Sequence, residues 1–302
     1  MKAAIIGYGQ IGPLYHQALA LHNAEVWLCD LKSPISPQDF RSKAFQDCDL
    51  IIVSTPPHTH LEIASYFLCQ GKRVILEKPA VINLTELSQL QGLANRQPDH
   101  LYLAYHTAFN PLTRQLVNEL ARESPQLEKI SLDYRENVFD YHPDAEGWLF
   151  RPELSGGGCI IDSGINIFSV LELLVRPTKL VKASLKYAEK MKVETQAYIE
   201  MMAGRTPIVI TMDWLSNREV REYTLLTSRG EFRADLAGHY LITPSQQINF
   251  QPTGKVDQET EYKELVKDAL HYFQTGKTLI ADFWQPLKSV FEVYTSCGFG
   301  FI

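Results

Sequence analysis

An apolar run that ends in an acid and a base is the first feature of this sequence that could do chemistry. Val74-Ile75-Leu76 is typical of a buried strand, and Glu77-Lys78-Pro79 follows it directly. Ligands bind at the carboxyl ends of strands in an open α/β sheet, so Lys78 would lie where a small molecule is held. The alternative is an ordinary surface turn in which both charges are solvated. Other parts of the chain are needed to choose between these interpretations.

A glycine-rich turn follows the first predicted strand, residues 2–6. Gly7-x-Gly9-x-x-Gly12 leads from this strand into a segment with helical spacing. Glycines let the backbone approach a pyrophosphate closely, and the N–H groups at the start of the helix stabilise its charge. Asp30 ends the second predicted strand, at about the 20-residue offset expected for the acid that binds a ribose diol. Together these features predict a dinucleotide-binding domain.

Asp30 also bears on which dinucleotide is bound. Its carboxylate can pair with two ribose hydroxyls and repels a 2′-phosphate, so it favours NAD over NADP. Lys32 lies close enough in sequence to weaken this preference, and NADP stays possible. The predicted cofactor-binding residues are Gly7, Gly9, Gln10, Ile11, Gly12, Asp30, Ser54, Thr55, Pro56, Glu77 and Lys78.

Strands and helices alternate through the first third of the chain, which predicts a doubly wound parallel sheet. One helix is predicted to begin at Ser36-Pro37, and His106 follows the fifth strand, at the same edge of the sheet as Lys78. From residue 179 onward, successive strands joined by short turns predict a mostly antiparallel sheet. The expected fold class is α/β plus α+β. The expected domains are a Rossmann domain (1–106), an α+β domain (107–283) and a C-terminal helix (284–302) that packs back on the first domain.

Gly156-Gly157-Gly158 leads into an apolar segment that we expect to form a buried helix. Its polar exceptions are Asp162, Asn166 and Ser169, whose spacing of i, i+4 and i+7 places them on one helical face. Buried polar groups need partners. Either these side chains satisfy the backbone of a neighbouring element, or they line a polar cavity near the lysine.

The irregular segment 138–154 combines aromatic and polar side chains. Flat apolar faces beside hydrogen-bonding groups suit the wall of a sugar site, but an oligomer contact or a packed loop has the same composition. The predicted substrate-binding residues are His106, Tyr141, His142, Trp148, Asp162 and Asn166.

The overall composition limits the classes of function. The chain has 302 residues and a formal net charge of −6 without a basic run, which disfavours nucleic acid or an anionic membrane as partner. Its five cysteines are scattered, which is typical of a reducing compartment and argues against a disulfide framework or a zinc site. No signal peptide or membrane span is predicted, so a cytoplasmic protein without a bound metal is expected.

Four motifs occur in order along the chain and together resemble the Gfo/Idh/MocA (glucose–fructose oxidoreductase / inositol dehydrogenase) family. The resemblance implies an N-terminal dinucleotide domain and a C-terminal domain with a large open sheet, which serves as a face for dimers or larger assemblies. The motifs are Gly7-x-Gly9-x-x-Gly12, Ser54-Thr55-Pro56-Pro57-x-x-His60, Gly71-Lys72-x-Val74-x-x-Glu77-Lys78-Pro79 and Asn110-Pro111.

Many members of that family carry Gly-Gly-Gly-x-x-x-Asp-x-x-x-His, whose acid and histidine share the site with the lysine. This chain retains the three glycines and Asp162 but has Asn166 in place of the histidine. With the pair Tyr105-His106, this departure looks most like the branch of aldose 1-dehydrogenases that act on galactose or arabinose. Because an amide cannot act as a general base, no histidine-centred proton relay is expected at that position.

The sequence therefore predicts an NAD(P)-dependent dehydrogenase acting on a sugar or polyol, in particular on C1 of an aldose to give a lactone. The predicted catalytic residues are Lys78, Asp162 and Asn166. Lys78 or Asp162 would take the O1 proton, burial would favour the neutral amine of Lys78, and Asn166 would hydrogen-bond the reacting oxygen. The alternatives are a reductase of another small carbonyl or imine, and a dinucleotide-binding regulatory sensor without turnover.

Overall fold

The computed structural model describes residues 1–32, 36–176, 178–250 and 256–299. It divides the chain into two compact units. One comprises Met1–Phe109 and Lys255–Phe283, and the other comprises Asn110–Gly254 and Trp284–Ile302. Each unit has its own sheet and its own core.

The first unit contains a five-stranded parallel sheet covered by helices. Its strands are β1 (Lys2–Ile6), β2 (Glu25–Cys29), β3 (Leu50–Val53), β4 (Arg73–Glu77) and β5 (Leu101–Ala104). Its first helices are α1 (Gly12–Ala20), α2 (His60–Leu68) and α3 (Leu84–Arg96). The strand order is β2-β1-β3-β4-β5, so the order reverses between β1 and β3. A ligand crevice is expected outside the carboxyl ends of the strands at this reversal.

The connection from β2 to β3 differs from the sequence prediction, because no helix begins at Ser36-Pro37. The described part of this connection contains one short 3₁₀ turn, Lys43–Phe45. The side chains of Asp39 and Ser42 accept hydrogen bonds from backbone N–H groups two residues further along the chain. Such local bonds stabilise turns in competition with a helix.

The second unit contains an eight-stranded sheet. Its helices are α4 (Pro111–Glu123), α5 (Pro152–Ser155), α6 (Ile165–Leu174) and, after the sheet, α8 (Gln285–Ser296). Its strands are β6 (Leu127–Asn137), β7 (Lys179–Lys186), β8 (Gln196–Ala203), β9 (Thr206–Asp213), β10 (Leu215–Thr227), β11 (Gly230–Asp235), β12 (Tyr240–Ile242) and β13 (Gln247–Asn249). The order is β13-β12-β11-β10-β6-β9-β8-β7, antiparallel except between β6 and β9. This confirms the predicted combination of a parallel and a mostly antiparallel sheet.

The remaining helix, α7 (Val256–Thr275), belongs to the first unit, whereas the sequence prediction put it in the second domain. It packs against α1 and against the turn His106–Phe109. Tyr262, Leu265, Val266 and Ala269 are buried, and their spacing of i, i+3, i+4 and i+7 forms one apolar face. Because this apolar face is buried against the first unit, α7 forms part of the core of that unit.

The last helix also differs from its prediction. We expected it to pack on the first domain, but α8 lies in the second unit and packs against α6 and β7. Leu287, Val290, Phe291 and Tyr294 are buried and again follow helical spacing along one face. Helical periodicity predicts that a face is buried, but it does not identify the element that covers this face.

One stretch among the described residues, Pro152–Leu174, has the length and the mean hydropathy (1.4) to cross a membrane. Its most apolar window is 83% buried within the structure. The segment is also interrupted by Gly156-Gly157-Gly158 and by a π-helical turn. Burial in the core of the second unit therefore accounts for its apolar character.

Candidate functional site

The glycine-rich turn lies at the carboxyl end of β1. Gly7 has a φ of +93°, and a Cβ atom there would lie 2.6 Å from the Ser54 carbonyl oxygen. At Gly12 a Cβ would lie 2.8 Å from the Gly7 carbonyl oxygen, whereas at Gly9 it would meet no described atom within 4 Å. Gly7 and Gly12 are therefore needed for close packing, and Gly9 leaves open space beside the turn. Gln10 and Ile11 complete the turn, and Gln10 is exposed.

The residues around this turn suit a dinucleotide. The Asp30 carboxylate accepts hydrogen bonds from the backbone N–H groups of Tyr8 (2.7 Å) and Lys32 (2.8 Å), which fixes it beside the glycines. No side chain of the described residues caps the start of α1, so the N–H groups of its first turn are suited to bind a phosphate. The open face at Gly9, the helix start and the carboxylate are the three elements that a pyrophosphate and a ribose diol require.

The loop after β3 carries three further predicted cofactor contacts, Ser54, Thr55 and Pro56, all half-buried. The Ser54 hydroxyl donates to the Gly7 carbonyl oxygen (2.8 Å), which joins this loop to the glycine-rich turn. Thr55 Oγ1 lies 2.6 Å from Thr59 Oγ1 at the start of the next helix. The side chains of Ser54 and Thr55 thus stabilise the loop itself.

His60 joins the loop after β3 to the segment that carries the lysine. It is buried, with Nε2 2.7 Å from the Thr55 carbonyl oxygen and Nδ1 2.9 Å from the Pro79 carbonyl oxygen. Burial lowers the pKa of His60 to about 4, and the two backbone carbonyl groups oppose this effect. The imidazole is therefore neutral at neutral pH and carries one N–H, so it donates to only one of the two carbonyl groups while its ring packs between the cofactor loop and the Lys78-Pro79 turn.

Glu77 is buried at the end of β4, and both of its oxygens have protein donors. Oε1 accepts hydrogen bonds from the hydroxyls of Tyr15 (2.8 Å) and Tyr262 (2.9 Å), and Oε2 accepts one from the backbone N–H of Lys78 (3.0 Å). Burial and the Glu77 charge raise the pKa of both tyrosines well above the ordinary value, so both remain protonated donors. Glu77 is therefore not a solvated residue of a surface turn, which was the alternative interpretation of the sequence.

Lys78 is half-buried and directly follows β4, next to the strand β3 that borders the reversal of strand order. The hydrogen bond from its backbone to Glu77, together with the buried Pro79 and Ala80, fixes the turn on either side of the Lys78 side chain. A flexible lysine side chain on a fixed backbone suits a group that must reach a bound substrate.

His106 lies just beyond β5, at the carboxyl edge of the same sheet. Its Nδ1 atom is 2.6 Å from Glu261 Oε2 in α7. The imidazole ring stacks on the Tyr262 ring, with 5.4 Å between centroids and an interplanar angle of 15°. Two consecutive residues of α7 thus hold the histidine that the sequence predicted as a substrate contact.

In the second unit, the three glycines pack against a buried acid. The Glu194 carboxylate accepts hydrogen bonds from the backbone N–H groups of Gly158 and Ile160 (both 3.0 Å) and from the Tyr294 hydroxyl (2.6 Å). A Cβ atom at Gly158 would overlap the Glu194 carbonyl oxygen, and one at Gly157 would overlap the Tyr294 hydroxyl. Gly157 and Gly158 are therefore required by packing, and Glu194 anchors the start of the segment that carries Asp162.

The predicted polar face differs in detail from the structure. Residues Ile160–Gly164 form a π-helical turn, and α6 begins only at Ile165. This wider turn breaks the α-helical register between Asp162 and Asn166, and Asp162 is half-buried, not buried as expected. Asn166 is buried, and its Oδ1 atom has no hydrogen-bond partner among the described residues. An unpaired buried amide oxygen of this kind suits a ligand that supplies a donor.

Sequence reasoning missed Glu136, which is buried at the end of β6. Its Oε1 accepts a hydrogen bond from the Ser163 hydroxyl (3.0 Å) and its Oε2 one from Arg221 Nη2 (3.1 Å). Burial raises the pKa of Glu136; Arg221 opposes the effect and the nearby Asp162 carboxylate adds to it. The signal was present in the alternation of β6, because Glu136 continues the buried positions of Ile130, Leu132 and Tyr134.

In the segment 138–154, the predicted substrate-binding residue Tyr141 lies beside the pair formed by Glu136 and Arg221. The Tyr141 hydroxyl accepts from Arg221 Nη2 (3.3 Å) and donates to Glu219 Oε1 (3.3 Å), although the Tyr141 side chain remains largely exposed. His142 and Trp148 pair with each other edge to face, 6.0 Å between centroids. Tyr141 also borders a hollow of about 180 Å³, lined by Asn137, Asp140, Tyr141, Ser216, Asn217 and Glu219.

Each unit thus brings together its own predicted residues. In the first unit, the residues after β1 to β5 share the carboxyl edge of one parallel sheet, and they include Gly7, Asp30, Ser54, Lys78 and His106. In the second unit, Asp162 and Tyr141 lie around the pair formed by Glu136 and Arg221, and Asn166 follows on α6. The catalytic roles of Lys78, Asp162 and Asn166 stay predictions.

The first unit matches a known protein family. Residues 1–105 match the model of the Gfo/Idh/MocA proteins, described as an oxidoreductase family with an NAD-binding Rossmann fold. This match confirms the family resemblance and the predicted dinucleotide-binding domain.

Individual relatives extend the similarity to sugar dehydrogenases. Galactose 1-dehydrogenase from Pseudomonas fluorescens is 24% identical over 219 residues, which cover 68% of this chain and 67% of the relative. The rhizopine catabolism protein MocA from Rhizobium meliloti is 25% identical over 201 residues, 61% of each chain. The chain spans between about half and two thirds of the length of the first three curated relatives, 52%, 67% and 61%. D-galactose-1-dehydrogenase from Rhizobium etli has the same fold, with a TM-score of 0.83, 23% identity and coverage of 97% of this chain and 94% of that chain.

Proposed function

We propose that this chain, whose residues 1–105 belong to the Gfo/Idh/MocA oxidoreductase family, is an NAD(P)-dependent dehydrogenase acting on a CH–OH group of a sugar or polyol. The finer proposal is that it oxidises C1 of an aldose to give a lactone. The observation that carries the proposal is the position of Lys78, on a rigid turn at the carboxyl edge of an NAD-binding sheet. Similarity to galactose 1-dehydrogenase supports C1 as the reacting carbon.

The chemistry requires a hydride acceptor, a proton acceptor and a group that orients the hydroxyl. Nicotinamide, when bound, supplies the hydride acceptor. Lys78 would contact O1 and take its proton as the C1–H bond breaks and the carbonyl forms. Asp162 would orient Lys78 or take the proton itself, since the anomeric hydroxyl is more acidic than an ordinary alcohol.

Asn166 would hold the reacting oxygen or its neighbour. Its Oδ1 atom, unpaired among the described residues, can accept a hydrogen bond from a sugar hydroxyl. Tyr141, His142 and Trp148 would contribute apolar faces and donors around the ring of the sugar. Because an amide does not act as a general acid or base near neutral pH, Asn166 positions the substrate and leaves proton transfer to Lys78 or Asp162.

A panel of aldoses and polyols, with NAD and NADP in parallel, tests the function by NADH or NADPH absorbance. We expect turnover of at least one aldose, with lactone as the product. Repulsion between Asp30 and a 2′-phosphate on the order of 1 kcal/mol predicts a kcat/KM for NAD about fivefold or more above that for NADP. If the protein turns over only a non-sugar carbonyl or imine, the proposed sugar or polyol substrate is wrong. Cofactor binding without turnover of any compound would indicate a regulatory sensor.

We also propose that the chain assembles as a homodimer or larger oligomer through the sheet of the second unit, in the cytoplasm, without nucleic acid or membrane partners. The face of this sheet that carries Tyr198 and Leu226 exposes both side chains to a substantial degree, 38% and 40%. Static light scattering on the purified protein is expected to give at least twice the 34.4 kDa of one chain. A mass of one chain at micromolar concentration would contradict this assembly.

A further inference from the structure

The pair formed by His106 and Glu261 lies within the first unit and was not visible in the sequence. The two side chains are 14% and 7% exposed, and Nδ1 is 2.6 Å from Oε2. An ionised carboxylate can only accept hydrogen bonds, so the hydrogen must be on Nδ1. In a neutral ring this leaves Nε2 with a lone pair, because the hydrogen bond at one ring nitrogen sets the tautomer of the ring.

A second contact from α7 also fixes the orientation of the His106 ring. The imidazole stacks on Tyr262, whose hydroxyl donates to Glu77, and Glu77 in turn accepts from the backbone N–H of Lys78. Rotation of the His106 ring would break the bond to Glu261 and the stacking on Tyr262 together. Two consecutive residues of α7 therefore orient the groups that follow β4 and β5.

We propose that Glu261 is a positioning residue that holds His106 as the Nδ1–H tautomer, so that Nε2 accepts a hydrogen bond from a hydroxyl group of the substrate. The substrate part of this inference rests on the proposed function. An acceptor at this place favours a polyhydroxylated substrate, because a compound without a hydroxyl there would leave Nε2 unpaired. Glu261 itself would not touch the substrate.

The tautomer can be measured without turnover, by long-range ¹H–¹⁵N correlation spectra of the protein with ¹⁵N-labelled histidine at pH 8.5. The signal of His106 is assigned by its loss in His106→Ala. We expect the Nδ1–H pattern in the wild type and the Nε2–H pattern, which free imidazole side chains prefer, in Glu261→Ala. Glu264→Ala, on the same helix but exposed and paired with Lys267 at 3.2 Å, is the matched control and should leave the signal unchanged.

Kinetics test whether His106 contacts a hydroxyl group of the substrate. Loss of a group that orients a metal ligand typically costs about 10–100-fold, and we expect a decrease of this size in kcat/KM for the sugar in Glu261→Ala, while the protein stays folded at the assay temperature and the Kd of NADH is retained. Glu261→Gln keeps one acceptor oxygen and should restore part of the loss. The kcat/KM of the double variant His106→Ala/Glu261→Ala should be no lower than that of His106→Ala alone, because Glu261 affects the substrate through His106.

Three results would overturn the inference: an Nε2–H or doubly protonated His106 in the wild type, an unchanged tautomer in Glu261→Ala, or additive losses in the double variant. Retained kcat/KM in His106→Ala would remove the substrate contact and leave a purely structural pair. If no sugar or polyol is turned over, the proposed function fails, and the tautomer spectra still decide the role of Glu261.

Discussion

Replacing Lys78 by alanine should lower kcat for the sugar by about 10²–10⁴-fold, the range that a positioned proton acceptor contributes. The fold should persist, because the bond from Lys78 to Glu77 uses the backbone N–H and does not depend on the side chain. NADH binding, followed by fluorescence titration, should also be retained, since the glycine-rich turn and Asp30 are unchanged. Measurement of kcat, the Kd of NADH and the thermal midpoint separates these effects.

Lys43→Ala provides a control for the loss of one positive charge in the same unit. Lys43 is exposed in the short turn between β2 and β3. Its replacement should leave both kcat and the thermal midpoint unchanged. Turnover of Lys78→Ala within a few-fold of the wild type would remove Lys78 from the mechanism and leave Asp162 as the proton acceptor.

Replacing Gly158 by alanine should cause the largest loss of stability. The added Cβ would overlap the Glu194 carbonyl oxygen, which is a backbone atom and cannot rotate away. Overpacking of this kind costs on the order of 3 kcal/mol, which corresponds to a thermal midpoint lower by roughly 5–10 °C. The displaced backbone also carries Asp162, so kcat should fall as well. Differential scanning calorimetry and kinetics measure both effects.

Gly92→Ala is the matched control, because it adds the same methyl group to a helical glycine. A Cβ at Gly92, in the interior of α3, would meet no described atom within 4 Å. Alanine in a helix interior is favoured over glycine by about 0.5–1 kcal/mol, so this variant should be slightly more stable than the wild type. Equal midpoints for the two variants would contradict the packing of Gly158 against Glu194.

The features that the sequence predicted correctly depend on neighbours along the chain. The glycine-rich turn, Asp30 and the strand that leads into Lys78 are local patterns, and the structure contains all three. Three acids that hold a predicted site residue or the segment that carries one were missed, because their partners are distant in sequence. Glu136 binds Ser163 across 27 positions, Glu194 binds Gly158 across 36, and Glu261 binds His106 across 155. A single sequence indicates that such an acid is present but not which group it meets.

The incorrect predictions also have physical causes. Asp162 and Asn166 have α-helical spacing, but the wide turn Ile160–Gly164 changes their relative direction. Local hydrogen bonds from Asp39 and Ser42 stabilise a loop where the prediction placed a helix after Ser36-Pro37. The faces of the last two long helices were predictable from periodicity, but which elements cover each face depends on tertiary packing.

The late position of α7 in the chain has a consequence for biosynthesis. Ribosomes add about 5–20 residues per second, so the 155 positions between His106 and Glu261 take roughly 8–30 s to translate. During this interval Glu77 and the hydroxyl of Tyr102 have emerged, but their partners Tyr262 and Asp268 have not been synthesised. A nascent or prematurely terminated chain that ends before α7 therefore displays an incomplete nucleotide domain, which chaperones and proteases can recognise.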